Sequence, residues 1–231
     1  MKTAGMIGGV GPESTIEYYR GIVTEFRKAT GEDIYPSLII NSINMARLRD
    51  LIAAERRGEA ADYLVEELHR LSAAGASFGF IGANAPHLVF AEVLRRSPLP
   101  LISIVEVTCA EAKARGLKKL ALFGARFTMQ AAFYPEVFSK EGIAIVMPMA
   151  EEQAWIHEIY LNQLVHGLIR PETRERLLQI AERIRNQDNT DGLILGGTEL
   201  SLILREESAC GIPLLDTTKI HVRAVVTEML K

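Results

Sequence analysis

The sequence predicts an α/β fold of two pseudo-symmetric three-layer domains, with mainly parallel sheets and a cleft between the domains. Three observations predict it. Short apolar runs alternate with longer amphipathic stretches along the whole chain. Most runs are rich in Ile, Val and Leu without polar alternation, as in strands buried on both faces of a parallel sheet. The order of elements then repeats once, as in a duplicated α/β unit.

The expected strands lie at 4–7, 38–40, 78–81, 99–105, 120–123, 143–146, 192–195 and 212–215. Residues 57–74 read as a helix, with Ala60, Leu64, Leu68 and Leu71 on one face and Glu and Arg on the other. Residues 171–185 open with Pro and Glu, a helix start, and turn Leu177, Leu178, Ile180 and Ile184 inward. The strand ending at Gly8 and the strand ending at Gly124 each open a series. An edge-like strand follows, then a long helix, then a strand ending in small and polar residues, then a proline-marked strand. Gly8 precedes Ala83 by about as much chain as Gly124 precedes Gly197. No Pro/Gly/Ser linker separates the halves. Tight packing is therefore expected, with a last helix at 217–230 docking on the first half. The expected domains are 1–114 plus 210–231, and 115–209.

Composition narrows the function. A chain of 231 residues can bury a large core. A net charge of −3 with no basic stripe disfavours nucleic acid, whose phosphates need clustered Lys and Arg. The N-terminal residues MKTAGMIGG lack the long apolar core of a signal peptide, and no run spans a bilayer, so no membrane partner and a cytoplasmic location are expected. Cys109 and Cys210 form neither a disulfide framework nor a metal-ligand spacing, and the five histidines are scattered, so no metal is expected.

Ligands of open α/β sheets bind beyond the carboxyl ends of strands, and domain interfaces favour small-molecule pockets. The two tips of interest are Ala83-Asn84-Ala85 and Gly197-Thr198-Glu199. Asn84 and Thr198 can donate to a carboxylate, or can cap the helices that follow. The loop from Gly8 through Val10 to Thr15 offers backbone amides at a helix start for an anion, or is simply a tight turn. It has neither the G-x-G-x-x-G spacing nor a P-loop lysine. The matching loop, Gly124 to Met129, could meet an anion through Arg126 or its free amides, or is a turn with Thr128 as its cap. Arg47 could grip a distal carboxylate through its planar fork, or be solvated surface. His87 lies near the first tip, whereas His157, His166 and His221 are lone signals. Trp155 and Tyr160 read as packing residues.

Taken together, the segments GGVGPESTIEYY, ANAPH, ISIVE, GARFTM, GGTEL and LLDTTKIH resemble the aspartate/glutamate racemase family of cofactor-independent amino-acid racemases. The resemblance spans essentially the whole chain. It implies two pseudo-symmetric domains, usually in a homodimer, acidic amino-acid substrates and no cofactor. It implies two-base chemistry, in which one cysteine thiolate removes the α-proton and the other cysteine returns one to the opposite face. Carried over by position, Asn84, Thr198, Val10 and Arg47 look like ligand contacts, joined by Ala85, Thr128 and Glu199. The two cysteine positions are Ala83 and Gly197. Ala85 and Ala125 replace threonines, and His166 a lysine. No convincing catalytic residue remains, since Cys109 and Cys210 fall away from the tips. Loss of a general base forfeits about 10²–10⁴ in rate. The resemblance therefore implies a racemase-family protein that binds an Asp- or Glu-like amino acid, with racemisation weak or carried by non-cysteine bases such as Glu199 or His87. The alternative is an inactive carboxylate-binding or regulatory protein on the same scaffold. Related chemistry on another organic acid is a third reading, disfavoured because relatives with such chemistry usually keep one cysteine.

Overall fold

The computed structural model describes residues 1–31 and 34–231. The first elements are β1 (Ala4–Gly8), α1 (Pro12–Thr30), β2 (Leu38–Ser42), α2 (Met45–Ala53) and α3 (Arg57–Ala73). They continue with β3 (Phe78–Ile81), a 3-10 turn (Ala85–Val89), α4 (Phe90–Arg96), β4 (Leu101–Ile102) and α5 (Ile104–Ala114). The second series is β5 (Lys119–Gly124), α6 (Arg126–Gln130), α7 (Phe133–Ser139), β6 (Ala144–Val146), α8 (Ala150–Asn162) and α9 (Pro171–Asp188). It ends with β7 (Gly192–Gly196), α10 (Leu200–Ile203), β8 (Ser208–Ala209), β9 (Ile212–Asp216) and α11 (Thr217–Met229).

Two compact units result, Met1–Ile104 with His221–Lys231, and Val105–Ile220. The first holds a parallel sheet in the order β2-β1-β3-β4. The second holds β6-β5-β7-β9-β8, with the same parallel order over its first four strands and the short β8 antiparallel at the edge. The duplication is thus realised strand for strand: β1, β2, β3 and β4 match β5, β6, β7 and β9.

The first sheet shows why its strands are apolar on both faces. Successive side chains of a strand point to opposite faces. Met6, Phe78 and Phe80 pack with Tyr18, Ile22 and Phe26 of α1 and with Val222, Val225 and Met229 of α11. Ile7 and Ile81 pack on the other face with Leu48 of α2, with Leu64, Leu68 and Leu71 of α3, and with Val93 of α4. In the second unit Ala121, Phe123, Leu193 and Leu195 pack with Ile156, Ile159, Leu177, Ile180 and Ile184 of α8 and α9. Leu120, Leu122, Ile194 and Leu215 are equally buried.

Two expectations differ from the structure. The apolar run at 99–105 forms only a two-residue strand, and Ile104 and Val105 begin α5 and are buried there. A short apolar run does not distinguish a buried strand from a buried helix start. Both α5, beyond Ile104, and β9 belong to the second unit, where the boundaries at 114 and 210 had put them in the first. The β7–β9 ladder from Leu193↔Leu214 to Leu195↔Asp216 holds β9 there. The chain returns to the first unit only at His221, within α11.

Candidate active site

In the first unit, β1 and β3 lie side by side, with Ile7 opposite Ile81, so their tips are adjacent. The loop after β1 carries Gly9 at φ 73° and Gly11 at φ 96°, conformations that L side chains rarely adopt. Pro12 opens α1. The Gly9 amide donates to Thr15 Oγ1 at 2.8 Å, so the loop spends this donor on its own helix. Ser14 is buried and its hydroxyl donates to the Gly82 carbonyl at 2.8 Å, tying α1 to the tip of β3. Sequence reasoning missed Ser14, because nothing in GPEST marks a hydroxyl that reaches across to another strand.

Past Gly82, Ala83 is half-buried and Asn84 buried. Asn84 precedes the 3-10 turn that contains Ala85, but its side chain makes no capping bond, and its carbonyl accepts the His87 amide at 2.9 Å. Val10 sits partly buried against the first core. Val10, Ala83, Asn84 and Ala85 therefore share one sheet end. Arg47 stands apart. It is exposed on the first turn of α2, its guanidinium 4.2 Å from the centroid of the Tyr63 ring. It lines a surface groove of about 330 Å³ with Asp50, Leu51, Arg56 and Glu59, which contains none of the other candidate residues.

Two buried histidines of this unit, His87 and His221, are held neutral. His87 is buried and stacks on Phe90 at 4.5 Å between centroids. Burial pushes its pKa down to about 4, with the backbone at Asn84 and Ala83 opposing the shift. His221 is pushed down to about 3, first by burial, then by His87, with the Ile102 carbonyl opposing. Its Nε2 is 3.1 Å from that carbonyl and its Nδ1 2.8 Å from Tyr18 Oη. A carbonyl only accepts, so Nε2 carries the proton and Nδ1 accepts from the tyrosine. His221 is a structural ring, not a base.

In the second unit, β5 and β7 pair from Leu120↔Gly192 to Gly124↔Gly196. Thr128 is buried, and its side chain packs over both Gly124 and Gly196, where added Cβ atoms would stand 2.9 and 3.0 Å away. Thr128 is therefore not an N-cap. Ala125 holds the cap position, and the Arg126 amide donates to His157 Nδ1 at 3.2 Å. Burial and the Arg126 charge hold His157 below its usual pKa. Arg126 is itself exposed, as is His166.

Beyond β7 come Gly197, Thr198 and Glu199, all buried. The half-buried Tyr160 of α8 lies over Gly197. A Cβ at position 197 would stand 2.5 Å from Cε2, 2.7 Å from Oη and 3.0 Å from Cζ of Tyr160. The Tyr160 hydroxyl donates to Glu199 Oε2. Burial, then the Glu199 charge, raise the phenol well above its ordinary pKa. The phenol therefore keeps its proton and donates it in the hydrogen bond to Glu199. Tyr160 is thus a residue of the tip, whereas the sequence had suggested packing alone. The only available signal was its place on the helix two elements before a strand ending in three glycine-or-threonine positions.

The two cysteines lie elsewhere. Cys109 is buried in α5, with Sγ 4.0 Å from the Val137 carbonyl. Cys210 lies between β8 and β9 at φ 51°, with Sγ 3.4 Å from the Leu178 carbonyl. Burial raises both thiol pKa values, which disfavours the thiolate. Among the described residues, no group of three His, Cys, Asp or Glu side chains could hold a metal ion, and no helix is long and apolar enough to cross a membrane.

The chain belongs to the Asp/Glu/Hydantoin racemase family, whose model matches residues 7–225. Among solved structures, an aspartate racemase homologue from Pyrococcus horikoshii is 32% identical, covers 100% of both chains and superposes with a TM-score of 0.87. A candidate Asp/Glu racemase from Yersinia pestis is 30% identical, with 100% coverage of both chains and a TM-score of 0.92. The broad specificity amino-acid racemase RacX of Bacillus subtilis is 23% identical, over 98% of this chain and 97% of its own length.

Proposed function

We propose that this protein binds a small acidic amino acid, Asp- or Glu-like, and that it racemises it weakly or through bases other than cysteine. Family membership over nearly the whole chain supports an amino acid as ligand. The observation that carries the binding role is the pair of strand tips ending in buried polar side chains, Asn84 after β3 and Thr198 with Glu199 after β7. Val10, Ala85 and Thr128 complete the ligand set at these tips, and Arg47 is its distal-carboxylate partner. In this reading Ala83 and Gly197 stand at the family's two cysteine positions, which leaves the ordinary two-thiol route without its acid and base. The protein acts without a cofactor, as a cytoplasmic homodimer.

A second reading is favoured by Tyr160. Its ring fills the space over Gly197, which suits an inactive carboxylate-binding or regulatory protein on the racemase scaffold. Calorimetry with both enantiomers of Asp and Glu tests binding, and chiral chromatography of the same mixtures tests turnover. Binding with racemisation supports the enzyme, binding alone supports the regulator, binding of none of the four refutes the first reading, and binding of no small dicarboxylate in the same assay refutes the second. Light scattering on the purified protein tests the dimer.

A further inference from the structure

We propose that Tyr160 Oη, backed by Glu199, is the proton-transferring group at the tip of β7, and that it serves one face of the substrate only. The inference rests on the reading that an acidic amino acid binds at these tips. Its basis is position. Oη lies 2.7 Å from where the first side-chain atom of residue 197 would stand, so the phenol occupies the place from which any side chain at 197 would act. Space filling alone would be served by phenylalanine. A hydroxyl and a carboxylate taken out of water are costly unless paired, and here they are paired with each other. A phenol hydrogen-bonded to a carboxyl group can pass its proton along that bond.

The step balances within the pair and the ligand. The Cα–H bond of the amino acid breaks, and its electron pair spreads into the α-carboxylate. The proton joins Tyr160 Oη while the phenolic proton passes to Glu199 Oε2. Reversal restores Cα–H, phenol and carboxylate, and no other reactant is consumed. While it rests on Glu199, the proton exchanges with solvent.

Inversion needs a second proton carrier on the opposite face, and the Tyr160–Glu199 pair supplies one carrier only. A single carrier therefore exchanges the α-hydrogen with retention of configuration. Inversion lacks its general acid and base and is slower by about 10²–10⁴-fold.

The test uses the intact protein, Tyr160→Phe and Glu199→Gln, with L-Asp, D-Asp, L-Glu and D-Glu in deuterated water. Calorimetry reads binding, proton NMR reads loss of the α-signal, and chiral chromatography reads inversion. The expected result is exchange of a bound enantiomer that outruns its racemisation by about 10²-fold or more. Tyr160→Phe keeps the ring over Gly197 and removes only the hydroxyl. It should cut exchange by about 10²–10⁴-fold with little change in Kd, and lower the melting temperature because the buried Glu199 loses the tyrosine's hydrogen bond. Three results overturn the inference while the binding reading stands: binding without exchange, exchange undiminished in Tyr160→Phe, or inversion as fast as exchange. Failure to bind any of the four removes the binding reading, and this inference with it.

Discussion

Adding a single methyl group at Gly197 has an effect whose sign depends on Tyr160. Gly197 is not among the residues at positive φ, so alanine is compatible with its backbone. In an open position such a replacement stabilises by about 0.4–1 kcal/mol, because the unfolded chain loses freedom. Here the new Cβ would lie 2.5 Å from a ring carbon of Tyr160. The ring cannot swing away cheaply, since its hydroxyl is bonded to Glu199 and its body packs on the core of the second unit. Gly197→Ala should therefore destabilise by about 1–3 kcal/mol, the usual cost of overpacking. Tyr160→Ala alone should cost about 3 kcal/mol or less, since the residue is half-buried. In that background Gly197→Ala should become neutral or stabilising, a coupling within the 0.5–3 kcal/mol range for residues in contact. Trp155 is the single tryptophan and lies on α8 with Tyr160, so its fluorescence during urea unfolding reports the right unit. An equal effect of Gly197→Ala in both backgrounds would refute the steric argument. So would a stabilising effect in the wild type.

Three further outcomes follow from the same structure. Stability should fall as pH drops from about 6.5 to 5, because His87 and His221 bind protons in the unfolded chain but not at their folded pKa values of about 4 and about 3. The stabilising neutral forms are fully favoured above the unfolded pKa, and two sites give a limiting slope of about 2.7 kcal/mol per pH unit. Urea midpoints followed by circular dichroism check this, and a flat profile over that window would contradict it. Ser14→Ala should cost about 1 kcal/mol in the same assay by removing the bond to the Gly82 carbonyl, and an unchanged midpoint would show that the bond contributes nothing. Arg47→Gln should weaken calorimetric binding of Asp by about 10–100-fold, the worth of a charged hydrogen bond. An unchanged Kd would leave Arg47 with only its stacking on Tyr63.

The chain itself determined the strands, the duplication and the family. Strands buried on both faces must be apolar throughout, so Phe78–Ile81 and Gly192–Gly196 are visible as runs. A repeated unit repeats its spacing, so β1 to β3 and β5 to β7 were legible before either sheet was seen. The start of α5 was not, because Ile104 and Val105 are as apolar in a buried helix as in a strand.

At the tips, local sequence marked where the strands end and which polar residues follow, but not what those residues face. Thr198 and Asn84 suit ligand contacts and caps alike, and only the structure shows that the Asn84 side chain does not cap the turn that follows it. A glycine declares that a side chain is absent, never what fills the room. Only the tertiary structure decided that Tyr160, on a helix far back in the chain, fills it over Gly197 and donates a hydrogen bond to Glu199. The reason is physical: periodicity and turn chemistry are short-range, whereas this contact is set by how α8 lies across the end of β7.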